Sequence, residues 1–282
     1  MNNQIDEDKR VVGKVVKSFD DTEIYYEIKT FDSKQPHLVF LHGLGGDLTA
    51  WNKEREFFHR HKYSTIAVDL RGHGMSGRPQ DINKYHLKNF AKDIHTIINI
   101  EKVKKPVIIG HCFGGMVTMT LEAMYPKVSD TLVLIDTNYK TPFISNSPME
   151  VMVLQSIIKH LATVTPEIAE PGHTDFSKFV NTGDINLLRI ASDIMHTSLK
   201  SYLMIADNLL DFNATELLNR ITVPTLVISG TEDSIFPPKV AAELASRIRK
   251  SKLDMVKGAN HIIVVNNPND LAVEIHEYLQ LN

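Results

Sequence analysis

The sequence predicts an α/β protein with a mostly parallel, eight-stranded sheet, helices on both faces and a helical insertion. Three observations predict it. Short apolar runs alternate with stretches of helical periodicity. The chain opens with two segments rich in β-branched and aromatic residues, separated by Asp20-Asp21. From about Tyr139 to Ile221 the buried-strand pattern is absent and helical periodicity takes over.

Val11 to Phe19 and Thr22 to Ile28 read as an antiparallel hairpin that starts the sheet. Four apolar runs follow, His37 to Leu41, Ser64 to Leu70, Val107 to Ile109 and Thr131 to Ile135, spaced as parallel strands with helical crossovers. The rhythm resumes with Thr225 to Ser229 and Lys252 to Val256, each leading to a helical stretch, Lys239 to Arg249 and Pro268 to Leu281. The core is therefore expected in two pieces, 1–138 and 222–282, with 139–221 as a helical cap over the carboxyl edge of the sheet, where α/β folds bind ligands. Thr165-Pro166, Pro171-Gly172 and Thr182-Gly183 are expected loop breaks within that cap.

A chain of 282 residues with 43% hydrophobic and 23% charged residues can bury a sizeable core without metals or disulfides. A formal charge of −3 gives no electrostatic reason to expect nucleic acid or an anionic membrane as partner. Met1 to Arg10 is polar and lacks the apolar centre of an export signal, and no run approaches the ~18 apolar residues of a membrane span. A cytoplasmic protein with a small-molecule partner is expected. The sole cysteine, Cys112, excludes an intramolecular disulfide and a cysteine metal cluster. With neither a phosphate-binding loop nor clustered ligand spacing, no cofactor and no metal is expected. Oligomeric state is not legible.

That cysteine has a particular setting. Pro106 to Ile109 runs into Gly110-His111-Cys112-Phe113-Gly114-Gly115 and then into a good helix from Met116 to Ala123. Strand, tight turn and helix in this order form a nucleophile elbow, G-x-S-x-G, whose small residues let the chain turn sharply and present the central side chain. Cys112 stands where serine is usual. A lone cysteine is most often a small buried hydrophobe, but the glycine frame argues for a nucleophile. The unpaired N–H groups of a helix N-terminus favour an anion there.

A nucleophile needs a general base oriented by a third group, in the chain order nucleophile, acid, histidine. Asp233 lies in the loop beyond Thr225 to Gly230, with Glu232 a neighbouring competitor. Asp136, after Leu132 to Ile135, is a rival acid at the same sheet edge. His261 follows the last strand and alone among thirteen histidines has the right order and setting. An oxyanion hole needs preorganised N–H donors, assigned here to Phe113, after the nucleophile, and to Leu44 in His42-Gly43-Leu44-Gly45-Gly46. His42 is expected to brace that loop.

Together these segments resemble the α/β-hydrolase superfamily, in the branch with a helical lid, over nearly the whole chain. Val68 to Gly77 is similar to that family's loop after the second parallel strand, and Gly230 to Pro237 to its acid loop. The resemblance implies a structural role for Asp69 and Arg71 as ion-pair or hydrogen-bond partners shaping the site wall, with anion binding by Arg71 as the alternative. The cysteine elbow resembles those of dienelactone hydrolases and polyhydroxyalkanoate synthases, whereas the insertion and loops look more like lidded esterases. The expected activity is hydrolysis of a small ester, lactone or thioester through an acyl-enzyme. Acyl transfer with the same triad and a non-enzymatic small-molecule receptor are the alternatives. Trp51 reads as packing, and Gln155, His160, Arg189 and His196 are the lid's candidates for substrate contact.

Overall fold

A computed structural model describes residues 10–141 and 147–281. The polar segment 1–9 and the insertion's first residues from Pro142 to 146 lie outside the described residues. The elements in order are β1 (Val12–Lys17), β2 (Glu23–Lys29), β3 (Leu38–Leu41), α1 (Asn52–Arg60), β4 (Thr65–Val68), α2 (Leu87–Ile100), β5 (Val107–His111), α3 (Phe113–Met124), β6 (Thr131–Ile135), α4 (Pro148–Val164), α5 (Leu187–Thr197), α6 (Leu199–Leu209), α7 (Thr215–Leu218), β7 (Thr225–Gly230), α8 (Pro238–Arg247), β8 (Ser251–Val256), α9 (Ile263–Asn266) and α10 (Pro268–Leu281).

The strands form one eight-stranded sheet in the order β1-β2-β4-β3-β5-β6-β7-β8. β1 pairs antiparallel with β2, and β2 antiparallel with β4, while the remaining pairs are parallel. The opening hairpin is shorter than its sequence pattern. Ser18 N–H closes a turn onto the Thr22 carbonyl at 2.9 Å, so Ser18 and Phe19 leave the strand. β5 is longer, because Gly110 and His111 still pair with Leu134 and Ile135 of β6. Strand pairing therefore continues to the residue before the elbow.

Alternation along the buried strands divides two cores. Val39, Leu41, Ile108, Leu132 and Leu134 face the layer containing α2, α3 and α8. Leu38, Phe40, Val107, Ile109 and Val133 face α1, α9 and α10. Side chains on successive strand residues point to opposite faces, so a continuously apolar strand requires cover on both. Trp51 is fully buried in the second core with its ring 5.2 Å from that of Phe40, the packing role expected of it.

Between β6 and β7 the regular elements among the described residues are helical. The segment's two crossings meet at its base, where Thr141 N–H donates to the Phe212 carbonyl and Ala214 N–H to that of Tyr139, each at 2.7 Å. Beyond that base, Leu218 and Ile221 are buried in the first core, and α7 packs on α3. Among the described residues no helix is long and apolar enough to cross a membrane.

Two charged clusters tie loops to this frame. Arg71 is fully buried, and its guanidinium pairs with Asp93 at 2.6 and 2.7 Å and with Asp20 at 3.1 Å, while also donating to the Lys84 carbonyl. Its donors are thus spent on the protein, and the alternative role in binding an anionic substrate is not supported by this placement. Asp69 serves a different set: it accepts from Leu48 N–H at 2.9 Å, Met75 N–H at 2.8 Å and the His173 imidazole at 2.8 Å. Beside that pair, Thr174 N–H donates to Asp47 at 2.7 Å, so residues 173 and 174 are stapled to the core by two carboxylates.

Arg71→Leu leaves Asp93 buried without its cation, and the expected cost is about 3–5 kcal/mol in urea unfolding; a loss below about 1 kcal/mol would contradict the ion-pair assignment. The His173 staple predicts a pH dependence. Burial alone would lower the His173 pKa, but its hydrogen bond to Asp69 and the charges of Asp69, Asp47 and Glu27 outweigh it and raise the value. A raised folded-state pKa gives stability that is fully present below about 6.5 and is lost as pH rises through the folded value. The destabilisation caused by His173→Ala should therefore be larger at low than at high pH in urea titrations. A pH-independent difference would contradict this.

Candidate active site

The site is built around a steric constraint at the end of β5. A Cβ on Gly110 would lie 2.4 Å from the Gly114 carbonyl oxygen, and one on Gly114 would lie 2.3 Å from that of Leu41. Only glycine permits this approach of strand, helix and β3. Between them Cys112 has φ 51° and ψ −114°, a conformation that L side chains rarely adopt. Two hydrogen bonds hold it there: Cys112 N–H donates to the Ile135 carbonyl at 2.9 Å, and the Thr137 hydroxyl donates to the Cys112 carbonyl at 2.6 Å. The side chain is half-buried at the N-terminus of α3.

The structure brings His261 and Asp233 to this point. His261 Nδ1 lies 2.9 Å from Asp233 Oδ2. An ionised carboxylate only accepts, so Nδ1 carries the proton and Nε2 is left for Cys112. Asp233 Oδ1 accepts from Ile235 and Phe236 N–H, both at 2.8 Å, which fixes the carboxylate's orientation. Burial opposes charge on both partners. For His261 it is outweighed by the negative charge that the Cys112 sulfur can carry and by hydrogen bonds with Asp233 and Cys112, so its pKa is raised well above the usual value. For Asp233 burial is outweighed by the His261 hydrogen bond and charge, and its pKa is lowered.

Asp136 and Glu232 are placed differently. Glu232 is exposed, and its N–H donates to the Ala259 carbonyl. Asp136 is fully buried, its Oδ1 accepts from Gly230 N–H at 2.9 Å, and the Asp233 carboxyl lies beside it. Burial, then the nearby negative charge of Asp233, raises its pKa well above the carboxylate range. Two neighbouring carboxyl groups thus hold opposite states, Asp233 ionised and Asp136 neutral. Asp136, His111 and His261 do bring one ligand atom each within 4.8 Å of one another. Two of these side chains already have partners, His111 Nε2 lying 2.8 Å from the His261 carbonyl and His261 Nδ1 2.9 Å from Asp233 Oδ2.

Leu44 and Phe113 are the two N–H groups assigned to an oxyanion, and among the described residues neither N–H meets a protein acceptor. The Leu44 loop is braced by two neutral imidazoles. His42 Nε2 accepts from Leu70 N–H at 3.0 Å, so its Nδ1 donates to the Gly43 carbonyl at 2.8 Å. His73 Nε2 accepts from Gly45 N–H at 3.2 Å, and its Nδ1 donates to the Arg71 carbonyl at 3.0 Å. Burial lowers the pKa of both, which keeps them in the tautomers the backbone donors require. A Cβ on Gly43 would lie 3.3 Å from that of Cys112, so this loop runs directly beside the sulfur-bearing residue.

Sequence reasoning missed the residues that link the insertion to this site. Asp184 Oδ1 accepts from the His261 backbone N–H at 2.7 Å, and its Oδ2 accepts from Ser234 N–H and hydroxyl at 2.9 and 2.6 Å. One carboxylate thus holds the histidine loop and the acid loop together. Asp193 of α5 and Tyr202 of α6 pack against Gly45, each within about 3.3 Å of where its Cβ would be. His111 was visible beside Cys112 but not its role: its Nε2 lies 2.8 Å from the His261 carbonyl. Of the insertion candidates, Arg189 lines a cavity beside Leu44. Gln155 bonds Asp211, His160 is exposed and His196 packs at Gly172, and none of the three lines that cavity.

Residues 36–170 match the family model described as the alpha/beta hydrolase fold. The chain is 26% identical over 249 residues to Protein ABHD8 of Homo sapiens, which covers 86% of this chain. It spans 54% of that relative's length. An esterase from Exiguobacterium antarcticum superposes with a TM-score of 0.75 at 20% identity, covering 95% of this chain and 100% of its own. An enol-lactonase from Burkholderia xenovorans LB400 gives 0.74 at 21% identity, with coverage of 95% and 100%. The sheet order and these superpositions show the alpha/beta hydrolase fold, the fold that the family model describes for residues 36–170.

The assignment of carboxyl states predicts a histidine titration. In NMR spectra His261 should titrate above the ordinary histidine value of about 6.5. Asp233→Asn should move that midpoint down, because burial is then less opposed, whereas Asp136→Asn should barely move it. The reverse pattern would make Asp136 the partner of His261.

Proposed function

We propose that the protein is a hydrolase of small esters, lactones or thioesters, with Cys112 as nucleophile, His261 as base and acid, and Asp233 as the group orienting His261. The observation that carries this reading is the convergence at one point of the positive-φ elbow, the Asp233-bound imidazole and two N–H groups without protein acceptors. The named esterase and enol-lactonase among the similar structures agree with an acyl substrate.

The chemistry follows from the placement. The Cys112 sulfur forms a bond to the carbonyl carbon while His261 Nε2 holds the thiol proton, and negative charge develops on the carbonyl oxygen. The Phe113 and Leu44 N–H groups receive that charge without reorganising. Collapse of the tetrahedral intermediate breaks the bond to the leaving group, which takes the proton from His261, and leaves a thioester on Cys112. Water then loses a proton to the same nitrogen as it adds to the thioester carbonyl. The second collapse breaks the carbon–sulfur bond, the proton returns to sulfur, and a carboxylic acid departs.

Activated acyl groups suit this site better than amides, because a thiolate leaves the tetrahedral intermediate more readily than an amine. The insertion 139–221 would act as the cap that limits substrate size, tied to the machinery through Asp184. The partner is then a small acyl compound, and the reaction needs only the chain's own residues and water.

Incubation with a short p-nitrophenyl ester followed by peptide mass mapping should place the acyl group on the Cys112 peptide. Cys112→Ala should lower kcat by roughly 10³-fold or more. An acyl adduct mapped to another residue, with turnover surviving in Cys112→Ala, would overturn the proposal.

A further inference from the structure

Beside Leu44 lies a small cavity of about 40 Å³, walled by the Gly43 to Gly46 turn, Trp51, Arg189, Asp193 and Ile262 among others. Three of these wall residues carry buried polar atoms with no partner among the described residues: Trp51 Nε1, Arg189 Nε and Asp193 Oδ1. Buried polar groups are nearly always hydrogen-bonded. Asp193 is the most exceptional. It is 5% exposed, its Oδ1 has no hydrogen-bond partner among the described residues, and burial pushes its pKa up to about 7.

We propose that this cavity is a hydroxyl-binding subsite, and that the substrate carries a hydroxyl close to its scissile carbonyl. This inference rests on the reading of Cys112 as the nucleophile, since that reading puts the carbonyl beside Leu44. The donor and acceptor pattern selects the group. Trp51 and Arg189 offer N–H donors and Asp193 offers an acceptor, so the complement must both accept and donate. An ammonium group cannot accept, and it would face the Arg189 cation. A carboxylate cannot donate, and it would face Asp193. A space of about 40 Å³ holds a group the size of a water molecule, which a hydroxyl matches.

The wider surroundings fit a substrate that extends outward. A larger cleft of about 450 Å³ shares Ala50, Phe176, Val264 and Val265 with the small cavity. The remainder of a longer substrate would leave by that wall, with Phe176 between the two spaces. Asp193 packs closely on the same turn, its Cβ lying 3.2 Å from where a Cβ on Gly45 would be. It is a specificity residue in this reading and takes no part in bond making.

The test uses the full chain and slowly hydrolysed amides as probes. Calorimetric titrations compare β-hydroxybutyramide with butyramide, and N-hydroxyethylacetamide with N-ethylacetamide, placing the hydroxyl on either side of the carbonyl. One hydroxylated probe should bind about tenfold more tightly than its parent or better. That preference should fall to near unity in Asp193→Leu, a variant whose unfolding midpoint should be no lower than the parent's because the carboxyl has no partner to lose. Trp51→Phe should weaken the preference independently. Equal binding within both pairs, no binding at all, or a preference that survives Asp193→Leu would overturn the subsite. Acylation of Cys112 by a plain p-nitrophenyl ester is read separately: its absence beside a hydroxyl preference would remove the nucleophile reading and leave the subsite, and its presence without that preference would do the reverse.

Discussion

The end of β5 and the start of α3 approach so closely that Gly110 meets the Gly114 carbonyl and Gly114 meets that of Leu41 at distances no Cβ could occupy. The residue between them must turn with φ near 51°, and the helix that follows must begin at once. Most of the site's geometry hangs on that contact. It points one side chain away from the sheet, leaves the first helical N–H without an acceptor among the described residues, and sets the Leu41 to Leu44 chain alongside. Parallel neighbours β3, β6 and β7 then deliver their own carboxyl-end loops to the same edge, which is why residues as far apart as Leu44, Cys112, Asp136 and Asp233 converge.

Electrostatic sorting completes what the sheet edge begins. Asp233 has two backbone donors and an imidazole to stabilise its charge, whereas Asp136 has one backbone donor and a charged neighbour. The same burial therefore leaves one carboxylate ionised and holds the other neutral. His42, His73 and His111 are kept uncharged by burial, each fixing a backbone loop rather than exchanging protons. Asp184 extends this scaffold into the insertion, since its carboxylate binds the backbone of both the histidine loop and the acid loop.

Much of this was legible in the sequence, for a physical reason. Strand and helix patterns are local, and so is the elbow: a glycine frame, a strand before and a helix after are all written within about fifteen residues. Chain order was enough to single out Asp233 and His261, and the structure brings them to hydrogen-bond distance. What stayed hidden depends on contacts across the fold. Arg71 gave no sign that Asp20 and Asp93, rather than a ligand, would use its donors. Asp184 and Asp193 lie in a segment of ordinary helical and loop pattern, where nothing local separates a carboxylate that grips the His261 loop from one on a solvated surface. The longer β5 was missed because glycine and histidine carry weak strand propensity, and pairing with β6 overrode it.

The glycine frame fixes the position and conformation of residue 112, and the thiol chemistry proposed for it depends on that residue being cysteine. The N-terminus of α3 and an imidazole already carrying its proton on Nδ1 suit sulfur, which is the stronger intrinsic nucleophile. The most direct test is the kcat/KM of Cys112→Ser beside the parent chain on one short p-nitrophenyl ester. The expected result is a loss of about an order of magnitude or more; a gain of similar size would show that the site is built for serine chemistry and would contradict the thiol proposal.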